Sequence, residues 1–184
     1  MNPILGLDAV LSGRLRVAEK PGLLRGIAVF LAHSGDSWFW GAALVIVWLV
    51  TDSSWKHWAV VVLLAISVLA ALVMILKFTI RRRRPEGDWG GIYRNTDPHS
   101  FPSGHAARAF LIAVMASGLG PAGLALALWI WAPLVSLARV AMGVHYLSDV
   151  VAGLVIGILA GIVALQTSDQ LLLWLASLIK MPLW

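Results

Sequence analysis

The sequence predicts an all-α membrane protein, a polytopic helical bundle of about five transmembrane helices with interfacial helices at its N-terminus. Three observations carry this expectation. Of 184 residues, 60% are hydrophobic and only 12% are charged, whereas a soluble domain carries roughly 25% charged residues. Mean hydropathy is +0.86, more apolar surface than one soluble core can absorb. Finally, the charges are clustered, so that long uncharged runs alternate with short polar segments. Lipid is the natural solvent for such a chain, and its length suits one domain.

The elements follow in order. Over residues 1–34, Leu11, Leu15 and Ala18, then Leu23, Leu24, Ile27 and Phe30, recur at helical spacing. Arg14, Arg16, Lys20 and Arg25 interrupt them, and Pro21-Gly22 divides the segment. This pattern reads as amphipathic helices lying at the membrane surface. The same charges keep the N-terminus from reading as a cleavable signal. A transmembrane bundle is expected over 35–167.

Its first span is short, 15 uncharged residues between Asp36 and Asp52, rich in interfacial tryptophan. The second, Trp58–Leu76, has 19 residues without a charge. The uncharged run Ala109–Ala138 is too long for one crossing of about 20 residues. Gly120-Pro121 therefore divides it into helices near 104–119 and 122–140. A fifth span covers about 147–165, and residues 168–184 read as a C-terminal interfacial tail. Gly153, Gly157 and Gly161 stand four apart in the fifth span. Such a stripe lets helices approach closely, within the bundle or between two copies of it; internal packing is the favoured reading, and both homodimer and monomer stay open.

Five crossings bring three polar clusters to one end of the bundle. In "KFTIRRRRP", Lys77 and Arg84 are seven apart and share a face if the helix continues that far. Arg81, Arg82 and Arg83 read as headgroup anchors. A nucleic-acid partner is disfavoured, because the run abuts a membrane helix and lacks interleaved aromatics. In "HSFPSGHAARAF", Ser103 suits an N-cap, Gly104 leaves backbone open to a ligand, and His105 sits in the first helical turn. In "ARVAMGVHYLSDV", His145 and Asp149 lie on one helical face, and a carboxylate there can fix the imidazole tautomer.

Ionisable groups at the membrane edge mark a functional site. Lys77, Arg84 and Arg139 make an anion pocket and would repel a metal ion, so no metal is expected. Two histidines add a nucleophile and a proton donor that work near neutral pH. With no cysteine, thiolate and disulfide chemistry are excluded.

Lys77-x6-Arg84-Pro85, then Pro102-Ser103-Gly104-His105, then Arg139-x5-His145-x3-Asp149 resembles the three-part signature of the type 2 phosphatidic acid phosphatase superfamily. The resemblance covers roughly residues 35–165. It implies a helical bundle with a site that needs neither metal nor other cofactor. His145 would be the nucleophile that forms a phosphohistidine, Asp149 the group that orients it, and His105 the acid that protonates the leaving group. Lys77, Arg84, Arg139, Ser103 and Gly104 would cradle the phosphate. One departure stands out: the serine usual before the third-motif arginine is Ala138 here.

The implied activity is metal-independent removal of phosphate from a membrane lipid. Phosphatidic acid, phosphatidylglycerophosphate and polyprenyl diphosphate are the candidate classes. A phosphotransferase built on the same histidine, and a non-catalytic protein that binds anionic lipid, are the alternatives. His33 and His57 lie outside the motifs and read as structural or solvated. Trp89 and Tyr93 read as interfacial aromatics, and Arg94 and Arg108 as headgroup contacts or surface charge.

Location in a bacterial inner membrane is expected. Eight basic residues outside the proposed cradle (Arg14, Arg16, Lys20, Arg25, Arg81, Arg82, Arg83 and Arg94) fall on the active side, against Lys56 and Lys180 on the other. By the positive-inside rule this favours a cytoplasmic site.

Overall fold

In the computed structural model, residues 3–87, 89 and 97–179 are described, and among them the fold is entirely helical apart from a single isolated β-bridge between Arg83 and His99. The helices are α1 (Pro3–Arg14), α2 (Leu23–Ser34), α3 (Ser37–Val50), α4 (Ser53–Ile80), α5 (Gly104–Leu119), α6 (Ala122–Ala141) and α7 (Leu147–Ile179). The protein is an integral membrane bundle. Three segments, Ser53–Ile80, Ala122–Ala141 and Leu147–Gln170, are long and apolar enough to cross a bilayer by themselves.

The two shorter crossings have a physical explanation. At 1.5 Å per residue, the 16 residues of α5 span about 24 Å, less than a bilayer core of about 30 Å. But every residue of α5 from Ala106 to Ala116 is buried. This central helix meets protein on all sides, so its length need not match the lipid. Helix α3, with 14 residues, packs on α4 and leaves Trp38, Ile46, Leu49 and Val50 exposed. Helix α2 packs against α6, with Ala28 and Ala32 buried and Leu23 and Phe30 outward.

Two boundaries differ from expectation. Helix α4 does not continue to Pro85; it ends at Ile80, where Arg81 takes a left-handed conformation (φ 53°, ψ 37°). And α7 runs on unbroken to Ile179, so the tail expected from residue 168 begins inside that helix. Its 166–170 stretch, Gln-Thr-Ser-Asp-Gln, is polar but holds no glycine or proline to stop a helix.

The glycine stripe of α7 faces α5. A Cβ added at Gly157 would run into the carbonyl oxygen of Ala107, and one at Gly153 would lie 2.5 Å from that of Ser103. The stripe therefore serves packing inside the bundle. Because the neighbouring atoms are backbone, they cannot step aside. Gly157→Ala should destabilise the protein by about 1–3 kcal/mol through overpacking. Thermal unfolding in detergent reads this as a lowered Tm, and an unchanged Tm would refute the close contact.

Candidate active site

The site is assembled where α4 ends, α5 and α7 begin and α6 closes. Ser103 caps α5 by accepting from the Ala106 amide at 3.5 Å, and its own amide donates to the Asp149 carbonyl at 2.9 Å. The starts of α5 and α7 are thus tied together. Between α6 and α7 the chain turns through Gly143, whose φ of +69° a side-chain-bearing residue rarely adopts. A Cβ there would also meet the Glu19 carboxylate. This turn delivers His145, which is only 2% exposed.

The arrangement fixes the tautomer of His145. Its Nε2 is 3.2 Å from Arg84 Nη1. A guanidinium can only donate, so Nε2 is the ring's acceptor and the proton sits on Nδ1. Nδ1 faces Asp149 Oδ2 at 3.4 Å, and that same oxygen accepts from the Tyr146 amide at 2.9 Å. The lone pair of Nε2 therefore points at the cations. Burial, then the charges of Arg84, Arg139 and Lys77, hold the imidazole pKa well below its ordinary value. The ring stays neutral, and so nucleophilic, into mildly acidic solution.

Lys77, Arg84, Arg139, Ser103, His145 and Asp149 are all buried at this end. After Arg81 leaves the helix, alternate residues face opposite ways, as in an extended strand. Arg81 and Arg83 turn outward, while Arg82 and Arg84 turn in. The structure thus brings Lys77 and Arg84 together through this extended turn, where the sequence reading relied on a continuous helix.

A cavity of about 470 Å³ opens on the site. Lys77, Gly104, His105 and His145 line its polar end, and Ile66, Leu69, Val73 and Trp38 line its apolar extension. From Lys77 to Ile66 along α4 is about 16 Å at helical rise, which sets the depth to which the cavity reaches into the bundle.

Four residues that the motifs did not single out are part of this end. Asp36, between α2 and α3, places Oδ1 2.7 Å from His105 Nε2 and Oδ2 2.9 Å from His33 Nδ1. Burial raises its pKa, but the bonds to the two imidazoles outweigh that and leave it well below the usual carboxylate range. His33 accordingly has a structural role as a partner of Asp36. Arg108 is not a surface charge: it is 7% exposed and donates to the Gly35 carbonyl and, at 2.5 Å, to Ser37 Oγ. It straps α5 to the α2–α3 turn. Arg82, expected among the headgroup anchors, instead donates to Asp149 Oδ1 at 2.7 Å.

Asp97 is the fourth. Its Oδ2 accepts from Lys77 Nζ at 2.5 Å and from Arg84 Nη2 at 2.7 Å. An internal carboxylate thus neutralises two cations that the sequence assigns to a phosphate. An anion held by both cations would have to displace it. Asp97→Asn keeps the shape and removes the competing charge. With Asp97 one-third exposed and its attraction partly screened, inorganic phosphate should inhibit the variant about 3- to 10-fold more tightly, a change of roughly 0.7–1.4 kcal/mol. Equal inhibition constants would show that Asp97 does not compete. Trp89 lies away from the cavity, 5.0 Å from the Arg25 guanidinium that stacks on it. Tyr93 and Arg94 fall outside the described residues.

Comparison with known proteins adds an independent line. The family model of the PAP2 superfamily matches residues 58–172. A probable lipid phosphate phosphatase beta of Arabidopsis thaliana is 29% identical over 90% of this chain and 91% of its own. The decaprenylphosphoryl-5-phosphoribose phosphatase of Mycolicibacterium smegmatis is 36% identical over 80% of this chain and 81% of its own. Among solved structures, the transmembrane PAP2-type phosphatidylglycerolphosphate phosphatase of Bacillus subtilis superposes with a TM-score of 0.75 at 23% identity, over 92% of this chain and 88% of that one. LpxE of Aquifex aeolicus gives 0.65 at 27% identity, over 84% and 93%.

Proposed function

The chain belongs to the PAP2 superfamily, and from that premise we propose that it dephosphorylates a membrane lipid through a phosphohistidine formed on His145. The observation that carries this reading is a buried imidazole whose Nε2 lies 3.2 Å from Arg84 and whose Nδ1 is backed by Asp149. That geometry leaves one nucleophilic lone pair aimed where three cations gather.

In the first step Nε2 attacks phosphorus and the bond from phosphorus to the lipid oxygen breaks. Lys77, Arg84 and Arg139 hold the equatorial oxygens, with the Gly104 amide and Ser103 beside them. Phosphoryl transfer is chiefly positioning and charge stabilisation, which this set supplies. The departing oxygen takes a proton from His105. Its Nε2–H is committed to Asp36, so Nδ1 is the nitrogen that exchanges a proton with substrate. In the second step water attacks the phosphohistidine, His105 takes the water's proton, and inorganic phosphate leaves with His145 restored.

The apolar extension of the cavity suits one lipid tail lying beside α4 while the headgroup meets His145. Phosphatidic acid, phosphatidylglycerophosphate and polyprenyl phosphates or diphosphates share that chemistry. The relatives named for a lipid phosphate and for a decaprenyl phosphosugar point to the same classes. Phosphate release from a panel of these lipids, with purified protein in detergent, tests the proposal; no release from any of them would refute it.

The proposed location is a bacterial inner membrane with the site facing the cytoplasm. Arg16 donates to the Glu86 carbonyl at 2.6 Å, which puts the basic N-terminal segment at the same end as the site. Glu86 is exposed, and the chain has no native cysteine. Glu86→Cys should therefore react with an impermeant thiol reagent only after the cells are permeabilised. Labelling of intact cells would place the site outside.

A further inference from the structure

Asp149 has to offer one oxygen to His145 Nδ1–H, and a carboxylate turns freely unless its other contacts are fixed. Oδ1 accepts from Arg82 Nη1 at 2.7 Å. Arg82 is itself held on several sides. Nη1 also donates to Ser148 Oγ at 2.6 Å, Nη2 donates to Asp8 Oδ2 at 2.6 Å, and the guanidinium lies 4.0 Å from the centre of the Tyr146 ring.

Asp8 comes from α1, more than 70 residues away in sequence from Arg82. It accepts from the Ser148 amide at 3.1 Å and from its hydroxyl at 2.5 Å. Ser12, one turn further along α1, accepts from the Leu147 amide at 2.8 Å. Those amides open α7 and have no acceptor within their own helix. Asp8 and Ser12 share a face of α1, as residues four apart do. Burial raises the Asp8 pKa, but the Ser148 hydroxyl and the Arg82 guanidinium outweigh it and keep the carboxyl below its ordinary value. The first helix of the chain is therefore fastened to the base of the nucleophile.

We propose that Arg82, clamped by Asp8 of α1, is a positioning residue that acts through Asp149 to hold His145 Nε2 at phosphorus. The inference rests on the reading of His145 as nucleophile. The Arg82 guanidinium donates to Asp149, Ser148 and Asp8, so its charge is shared between two carboxylates. It is also only 17% exposed, too buried for a headgroup anchor. Helix α1, which the sequence reads as a surface anchor, becomes a working part of the site.

A double-mutant cycle separates this role from simple support of the fold. The full-length protein is purified with Arg82→Gln, Asp149→Asn, and both together, and kcat and KM are measured on a lipid phosphate it turns over. Arg82→Gln should lower kcat on the order of 10²-fold, the scale of a small misplacement of reacting groups, with KM unchanged. In the Asp149→Asn background the same substitution should lower kcat by less than about 3-fold, because its target is gone. Asp8→Asn should act in the same direction with a smaller loss, and carries the same cycle if Arg82→Gln does not fold. Equal losses in both backgrounds, or a raised KM with kcat intact, would overturn the clamp. Turnover that survives His145→Ala would instead overturn the nucleophile reading, so the two failures are distinguishable.

Discussion

His145→Ala should abolish phosphate release, a loss on the order of 10⁴- to 10⁶-fold in kcat, the scale seen when a nucleophile is removed and the rest of the site is left to work alone. Among its neighbours, Lys77 and Arg84 are cations paired with Asp97, the Nε2–H of His105 is committed to Asp36, and Asp149 is held by the Tyr146 amide and Arg82. The decisive measurement is a rapid acid-free quench with lipid labelled on phosphorus. Wild-type protein should carry label that is stable to base and lost in acid, as expected for phosphorus on an imidazole nitrogen. The alanine variant should carry none, while its Tm and elution volume show that the bundle is intact. Label retained by the variant would move the nucleophile elsewhere.

His105→Ala should lower kcat/KM for a lipid phosphate by about 10²- to 10⁴-fold, the usual worth of a positioned proton donor. The size should depend on the leaving group. A lipid alkoxide is a poor one and needs its proton as the bond breaks. A nitrophenolate does not, so with an aryl phosphate the same substitution should cost far less. This contrast isolates proton donation from any general damage. Asp36→Asn should follow the same pattern with a smaller amplitude, because Asp36 sets the orientation of His105 through its Nε2–H. If the alkyl and aryl substrates lost activity equally, His105 would be a binding group and the acid would have to be sought elsewhere.

The parts of the site that were legible in the sequence were those written as local spacing. His145 and Asp149 stand one turn apart, Ser103 opens a helix, and Lys77 and Arg84 flank a helix end; each carries a chemical meaning that tertiary structure need only bring together. The parts that were missed depend on where the chain changes period. While residues 77–84 are read as one helix, Arg82 falls on a lipid-facing surface. Once Arg81 breaks the helix and the backbone extends, Arg82 turns inward to Asp149. No residue type at 81 announces that switch, since arginine is not a usual occupant of a left-handed position.

Asp36 was legible only as the charge that bounds a span, because its partners lie on α5, some 69 residues on. Asp97 follows a segment of mixed composition with no periodicity to place it. The span count shows the same limit. Length rules assume lipid on every side, and the burial of α5 within the bundle removes that assumption. The glycine stripe was legible as a contact surface, but not its partner, which only the fold assigns to α5.

The seam between α5 and α7 is set backbone to backbone, whereas the cavity wall is set by side chains. Both imidazoles sit at the mouth of that seam, where the added bulk of even a methyl group has no room. The cavity wall along α3 and α4 is made of aliphatic side chains and a tryptophan. If the proposed lipid tail lies in that cavity, preference for one hydrocarbon chain over another can drift, or be engineered, by resculpting that wall while the reaction itself is left untouched.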